Sequence, residues 1–259
     1  MAKAYFRETG SGPAVLCLHC SASTSGQWRP LMERLAGRYR VIAPDLYGCG
    51  KSPAWPRERT MWIDDQIELL APVFERAGER FHLIGHSYGG AIALKAALGL
   101  RTRLASLVLY EPVLFAVLLR SAPQGDAARE IAAVRDDVLA GTPGAAAERF
   151  IDYWMGKGTW AATPDARRAA LVDAVQAQTP EWHSACNEPT PLEAFAALDP
   201  PALLMTGTAS TAAARAVARL VGGVLPRVQI EEMEGLGHMA PVTHPGEVNA
   251  RIERFLAHI

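Results

Sequence analysis

The sequence lacks an excess of charge of either sign. Its 259 residues include 26 lysines and arginines against 27 aspartates and glutamates, which leaves a formal net charge of −1. The positive residues are scattered and form no basic run. Because nucleic acids and anionic membranes are bound through clustered positive charge, this balance argues against both as partners.

Long hydrophobic runs are also missing. The first eight residues have no apolar stretch behind a basic one, so the start does not resemble a signal peptide. The most apolar segment, 104–119, is interrupted by Glu111 and Pro112, and its pieces are too short to span a bilayer. With four cysteines and no export signal, we expect a cytoplasmic protein with reduced thiols.

Cofactor and metal motifs are absent as well. The sequence contains no G-x-G-x-x-G after a strand, no P-loop and no H-E-x-x-H. Cys17 and Cys20 have the spacing of a metal-binding pair, but no second pair accompanies them. We therefore expect neither metal nor cofactor, and we interpret Cys17 as a small core residue.

What the sequence does have is an alternation of two patterns. Short apolar runs, typical of strands buried on both faces, occupy 14–18, 41–43, 81–84, 107–110 and 203–205. Apolar residues spaced by three and four predict helices, with stripes at Ile63, Ile67, Leu70 and Phe74 and at Val248, Ile252, Phe255 and Ile259. The alternation predicts an α/β fold with a doubly wound, mostly parallel sheet.

The alternation breaks over residues 113–197, which are rich in alanine and aromatic residues. We interpret this segment as a helical cap, and residues 1–112 with 198–259 as one discontinuous core domain. From the cap we expect Phe115 and Trp154 to line an apolar substrate pocket, although such aromatics are more often simply core residues.

Residues 85–89, Gly-His-Ser-Tyr-Gly, lie between a predicted strand and a helix-like run. This is G-x-S-x-G in its strand–turn–helix context. The serine of such a turn has a strained backbone, which nearby glycines permit, and its hydroxyl lies at a helix N-terminus that favours negative charge. The motif predicts Ser87 as a covalent nucleophile; the alternative is a serine that merely caps the helix.

Four segments in this order resemble the α/β-hydrolase superfamily. They are Leu18-His19-Cys20-Ser21, residues 45–52 (DLYGCGKS), residues 85–89, and residues 235–241 (GLGHMAP). The resemblance covers nearly the whole chain outside the cap and implies a serine hydrolase. It also implies an oxyanion hole formed by the backbone N–H groups of Tyr88 and Ser21. Cys20 stands where the family usually has glycine, so either Cys20 is strained or the turn has another shape.

A serine hydroxyl becomes a useful nucleophile when a base removes its proton. His238 follows the strand-like run 228–233 in a glycine-flanked loop, so we predict it to be the base. The α/β-hydrolase resemblance implies an aspartate just after the strand ending at Gly207, yet no carboxylate occurs from Gly207 through Leu225.

Glu111 is the predicted replacement acid, because it ends a buried apolar strand where an unpaired charge is costly. Haloalkane dehalogenases, another branch of the superfamily, take their acid from this strand end. The alternatives are a Glu111 that anchors the cap or lines the pocket, Asp199 as the acid, or a dyad without an acid.

A serine nucleophile predicts attack on a carbonyl, most simply a carboxylic ester of a small apolar molecule. A C–C bond hydrolase, a lyase and a cofactor-free perhydrolase on the same fold stay open, as does a ligand-binding protein with a vestigial site. The sequence leaves the oligomeric state open.

Overall fold

The structure is a computed structural model that describes residues 2–56 and 58–259. Its strands are β1 (Phe6–Thr9), β2 (Ala14–Leu18), β3 (Arg40–Pro44), β4 (Phe81–His86), β5 (Leu104–Tyr110), β6 (Ala202–Gly207) and β7 (Val228–Met233). Its helices are α1 (Arg29–Leu35), α2 (Ile63–Ala77), α3 (Tyr88–Leu100), α4 (Phe115–Ser121), α5 (Asp126–Ala140), α6 (Pro143–Met155), α7 (Thr159–Ala162), α8 (Asp165–Ala177), α9 (Thr179–Asn187), α10 (Ala212–Val224), α11 (Ala240–Thr243) and α12 (Pro245–Leu256). Short 3₁₀ turns occupy Ser25–Trp28, Arg101–Arg103 and Leu192–Ala197.

The seven strands form one sheet in the order β1-β3-β2-β4-β5-β6-β7. β1 is antiparallel to β3, and every other neighbouring pair is parallel. The chain leaves β2 for β3 on one side and then crosses to β4 on the other. The carboxyl ends of β2 and β4 therefore lie beside a topological switch point, which is where open α/β sheets bind ligands. The predicted doubly wound, mostly parallel sheet is confirmed.

Both faces of the sheet are buried, which explains the continuous apolar runs. In β2, Leu16 and Leu18 belong to a cluster with α2 and α3, whereas Val15 and Cys17 belong to one with α1 and α12. Each such side chain contributes about 1.5–3 kcal/mol when it is fully buried. Cys17 is thus a core residue, as predicted.

The structure corrects the outer elements. β1 has no counterpart in the sequence prediction, because its four residues are only partly buried and form no apolar run. The last helix ends at Leu256, so Ile259 lies beyond it with half of its surface exposed.

Residues 113–197 contain six helices, one 3₁₀ turn and no strand. Their buried side chains join the same apolar cluster as α3 and α10, so the boundaries of a separate cap stay a prediction. Within the described part of the chain, no helix combines the length and apolarity needed to cross a bilayer.

Candidate active site

Ser87 occupies a strained turn between β4 and α3. Its φ of 57° and ψ of −120° lie in a region that L-residues seldom adopt, at a cost of about 1–3 kcal/mol. The turn is held by a hydrogen bond from the Ser87 N–H to the Tyr110 carbonyl (3.0 Å) and by one from the Val113 N–H to the Ser87 carbonyl (3.1 Å). The serine is thereby fixed at the carboxyl end of β4.

Two glycines of the motif are required by close backbone approach. A Cβ at Gly85 would lie 2.4 Å from the Gly89 carbonyl oxygen, and one at Gly89 would lie 2.4 Å from the His19 carbonyl oxygen. Such contacts are far below van der Waals distance, so Gly85 lets the end of β4 pack against the start of α3, and Gly89 lets the elbow pack against the end of β2.

His238 lies between Ser87 and Glu111. Its Nε2 is 2.8 Å from the Ser87 Oγ, and its Nδ1 is 2.7 Å from the Glu111 Oε2. An ionised carboxylate only accepts hydrogen bonds, so Nδ1 carries the proton and Nε2 is left as the acceptor for the Ser87 hydroxyl. The structure therefore brings the three predicted residues into one hydrogen-bonded series.

Glu111 is fully buried yet has four hydrogen-bond donors. Its Oε1 accepts from the Thr206 hydroxyl (2.9 Å) and the Gly207 N–H (2.8 Å). Its Oε2 accepts from the Ser210 hydroxyl (2.6 Å) as well as from His238. Burial alone would raise the pKa of this carboxyl, but the hydrogen bonds outweigh burial and the pKa lies below its ordinary value.

The end of β6, where the usual aspartate is missing, thus supplies donors in place of an acid. Thr206, Gly207 and Ser210 all face the carboxylate that arrives from β5. A buried charge satisfied in this way is stable and is held in one orientation.

The loop of His238 is anchored from several elements. The Tyr110 hydroxyl donates to the carbonyl just before His238, and the His86 Nε2 donates to the carbonyl of His238 itself, each at 2.9 Å. The Gln27 amide donates to the His86 Nδ1 (3.1 Å) and accepts from the Cys20 N–H (3.1 Å). Burial, the largest cause, lowers the pKa of His86 well below its ordinary value, so this ring stays neutral.

The turn after β2 distinguishes between the two alternatives that the sequence left open. The left-handed residue is Ala22, with a φ of 52°, and not Cys20. Of the two alternatives, the second is therefore the one observed: Cys20 is unstrained, and the turn takes its unusual conformation two residues later. His19 orders this turn by donating from Nδ1 to the Cys20 carbonyl (2.7 Å) and accepting at Nε2 from the Leu46 N–H (3.1 Å).

Ser21 and Tyr88 meet at one cavity beside Ser87. Tyr88 is the first residue of α3, so its N–H has no partner within the helix. Ser21 lies in a turn, where backbone hydrogen bonds are made between loop residues. Among the described residues, neither the Tyr88 N–H nor the Ser21 N–H takes part in such a backbone hydrogen bond.

The cavity has a volume of about 220 Å³ and is mostly apolar. Phe115 and Trp154, predicted to contact substrate, both line it, together with Ser87 and His238. The Trp154 ring lies 4.2 Å from the His238 ring, between centroids, and 6.2 Å from Phe115. Both aromatic residues are therefore part of the core and part of the cavity wall.

Sequence reasoning missed two polar residues at this site, Gln27 and Glu181. Gln27 gives no pattern that distinguishes it from a surface residue. Glu181 lies in the first turn of α9, where an acidic residue is ordinary, and its surroundings come from residues distant in the sequence. Residues 2–56 and 58–259 contain no group of three side chains suited to bind a metal, and the four cysteines are free and buried.

The sequence is similar to a known protein family and to several known proteins. The sequence profile described as "Alpha/beta hydrolase family" matches residues 15–251. Over 109 residues the chain is 33% identical to a pimeloyl-[acyl-carrier protein] methyl ester esterase of Nitrosomonas europaea, which covers 42% of this chain and 41% of that protein. A protein of Mycobacterium tuberculosis is 37% identical over 94 residues, or 36% of this chain. That match spans only 27% of the mycobacterial protein's length.

Solved structures are similar over nearly the whole chain. An alpha/beta hydrolase from Sphaerobacter thermophilus has a TM-score of 0.68 and 26% identity, with 95% of both chains covered. A thermophilic esterase from Thermogutta terrifontis has a TM-score of 0.74 and 24% identity, with 98% of this chain and 93% of that chain covered. The second likeness concerns the fold alone.

Proposed function

The chain belongs to the alpha/beta hydrolase family, and from this premise we propose that it is a serine hydrolase that cleaves carboxylic esters through an acyl-enzyme on Ser87. The observation that carries the proposal is the buried hydrogen-bonded series of Ser87, His238 and Glu111 at the wall of a cavity. The esterase name of the Nitrosomonas europaea relative supports the choice of substrate bond.

In the proposed first step, the Ser87 Oγ attacks the ester carbonyl carbon while its proton passes to the His238 Nε2. The geometry supports this transfer, since the two atoms are 2.8 Å apart and Nε2 is the unprotonated nitrogen. Glu111 would then stabilise the imidazolium and keep the ring in one tautomer.

The carbonyl oxygen becomes an oxyanion in this step and needs preorganised donors. We assign this role to the backbone N–H groups of Tyr88 and Ser21, which border the cavity beside Ser87. The His238 imidazolium returns its proton to the leaving alcohol. A water molecule, activated by the same histidine, then hydrolyses the acyl-enzyme.

The choice of a carbonyl substrate follows from the nucleophile. Serine attack on an alkyl halide or epoxide would leave an ether, which water does not readily cleave, whereas an acyl-serine is an ester that water can hydrolyse. The apolar cavity lined by Phe115 and Trp154 supports an uncharged, largely apolar acyl group. We further propose that the enzyme acts on small molecules in the cytoplasm.

The test is steady-state hydrolysis of p-nitrophenyl esters, amides and lactones by the wild type and by Ser87→Ala. We expect ester hydrolysis by the wild type and only background rates for the variant. Ser106→Ala is a matched control, because Ser106 is a buried serine of β5 whose hydroxyl contacts His82, away from the cavity. Equal turnover by wild type and Ser87→Ala would overturn the proposal. Substrate binding without turnover by the wild type would instead favour a vestigial site.

A further inference from the structure

Glu181 is a buried carboxyl group at the cavity that the proposed chemistry does not use. It lies in the first turn of the cap helix α9 and is 3% exposed. Its Oε2 accepts a hydrogen bond from the Ser21 hydroxyl, and among the described residues its Oε1 has no hydrogen-bond partner. One residue of the cap is thus joined to the turn that we assign to the oxyanion hole.

No cation compensates this carboxyl within the described part of the chain. No salt bridge there includes Glu181, whereas the buried Glu188 at the end of α9 pairs with Lys95 at 2.8 Å. A negative charge on Glu181 would act on the titratable groups of Cys20, Cys49 and Tyr88, and His238 lines the same cavity. The elements packed against α9 carry further charged groups, which are Lys95 of α3, Arg120 of α4, Asp126, Arg129, Glu130, Arg135, Asp136 and Asp137 of α5, and Asp165, Arg167, Arg168 and Asp173 of α8.

Those charged groups are mostly engaged elsewhere. Arg120 binds the carbonyls of Glu188 and Thr190, and Arg135 pairs with Asp136 at 2.7 Å. Burial raises the pKa of Glu181 to about 8, despite the opposing hydrogen bond from Ser21. The N-terminal turn of α9 favours a negative charge, but burial without a cation dominates.

We propose that Glu181 is a positioning residue for ester hydrolysis, which as a neutral carboxylic acid ties α9 to Ser21 and holds the oxyanion turn in place. The inference rests on the proposed function, because it assumes that an oxyanion forms beside Ser21. An ionised Glu181 would place a second negative charge on the same turn, where it would oppose the oxyanion. The neutral form is therefore the active one.

The proposed role of Glu181 predicts how kcat depends on pH. As Glu181 ionises above about pH 8, kcat should fall by about tenfold per pH unit, as for a single ionisation. The neighbouring groups cannot cause this fall, since burial raises the pKa of Cys20 to about 12 and holds those of Cys49 and Tyr88 well above their ordinary values.

The experiment compares pH profiles of kcat and KM between pH 6 and 10 for the wild type, Glu181→Gln and Glu181→Leu, with a p-nitrophenyl ester. Glutamine keeps the hydrogen bond without an ionisation, so Glu181→Gln should stay within about threefold of wild type at pH 7 and lose the alkaline decline. Glu181→Leu removes the link to Ser21 and should lower kcat by about 10- to 100-fold at pH 7 with little change in KM. Glu188→Gln, a matched change at the other buried cap carboxylate, should keep the wild-type decline.

The pH profiles and the infrared spectra each have a result that would contradict the proposed role of Glu181. A wild-type profile flat through pH 9, or a decline that Glu181→Gln retains, would overturn the inference. If the variants do not fold, infrared difference spectra of the wild type between pH 7 and pH 9 should show loss of a carboxylic-acid carbonyl band, and its absence would overturn the inference equally. Failure of the proposed function would look different, since Ser87→Ala would then match the wild type at every pH.

Discussion

At the scale of single residues, Glu111 shows how a carboxylate can be buried without loss of stability. Its backbone φ of 43° is in the left-handed region, and its four donors come from three places in the chain. One of these donors, the Gly207 N–H, can only donate. The atom of Glu111 that faces Gly207 must therefore be an acceptor. In the carboxylate this is Oε1, and Oε2 faces His238.

That geometry predicts the effect of Glu111→Gln. The amide oxygen must stay on the Gly207 N–H, so the amide NH₂ faces the His238 Nδ1 and forces the ring into the tautomer protonated at Nε2. This ring cannot accept the Ser87 proton, and we expect kcat to fall by about 10³- to 10⁴-fold, as in serine proteases with the equivalent change. Stopped-flow and steady-state kinetics on a p-nitrophenyl ester provide the measurement.

KM for the same ester should change by less than about threefold, because the ground-state contacts remain. Far-ultraviolet circular dichroism should show an unchanged fold. If Glu111→Gln unfolds the protein while the folded fraction keeps wild-type turnover, Glu111 is an anchor of the cap and not the acid.

Glu181 predicts a pH dependence of stability that is independent of turnover. Its pKa is raised from an ordinary value of 4.5 to about 8 on folding, so the folded state holds the proton more tightly than the unfolded chain. The resulting stabilisation is fully present below about pH 4.5 and is lost as pH rises through 8. Relative to Glu181→Gln, the wild-type free energy of unfolding should fall by up to about 1.4 kcal/mol per pH unit between pH 5 and 8.

Urea unfolding of both proteins from pH 5 to pH 9 measures this difference. Parallel stabilities across the range would show that Glu181 is already ionised in the folded protein. A difference that grows with pH and then levels off above pH 8 is the expected result.

Residues such as Ser87 and His238 could be found in the sequence because each sits in a local motif with glycines at fixed offsets. Glu111 could be found by an absence, since no carboxylate occurs from Gly207 through Leu225. Glu181 could not be found, because its environment is created by the turn of Ser21, 160 positions away in the chain. Burial of a side chain by residues distant in the sequence produces no pattern in the residues next to it.

At the scale of elements, the segment 113–197 supplies much of the apolar wall of the cavity through α4, α6, α8 and α9. Phe115 is 2% exposed, lines the cavity and stacks between Trp154 and Trp182, with ring centroids at 6.2 and 6.3 Å. Its size therefore limits the volume of the cavity.

Phe115→Leu should shift the preference of the enzyme toward longer acyl chains. The smaller side chain leaves room for additional methylenes, and we expect the ratio of kcat/KM for p-nitrophenyl octanoate over butyrate to rise about tenfold. The substitution should also cost about 1–2 kcal/mol of stability. Phe195→Leu is the matched control, because Phe195 is equally buried but does not line the cavity. An unchanged ratio in Phe115→Leu would place the acyl group elsewhere.

Strands with both faces buried could be predicted from the sequence, whereas the edge strand β1 could not. The runs of β2, β4 and β5 are continuous in apolar residues, since each strand is covered on two sides. β1 is paired on one side only, and its residues are partly buried or, at Arg7, exposed. Because Phe6 is its only apolar residue, the segment has no apolar pattern that could predict its pairing with β3.

At the scale of the whole molecule, the order of strands brings the site together. Ser87 follows β4, Glu111 follows β5, and the turn of Ser21 follows β2, all at one edge of the sheet. Parallel strands make this convergence automatic, which is why the sequence order of the motifs could predict a single site. The sequence could not predict how the helices of 113–197 close over that site, because their packing depends on side chains from α3 and α10.

The most direct test of the account is covalent labelling by a fluorophosphonate, followed by intact-protein and peptide mass spectrometry. A phosphonate reacts with a serine that has an activating base, so it reports the nucleophile without assuming a substrate. We predict one adduct per chain, located on Ser87, and no adduct on Ser87→Ala under the same conditions. An adduct on another residue, or labelling of Ser87→Ala at the wild-type level, would contradict the central claim that Ser87 is the nucleophile.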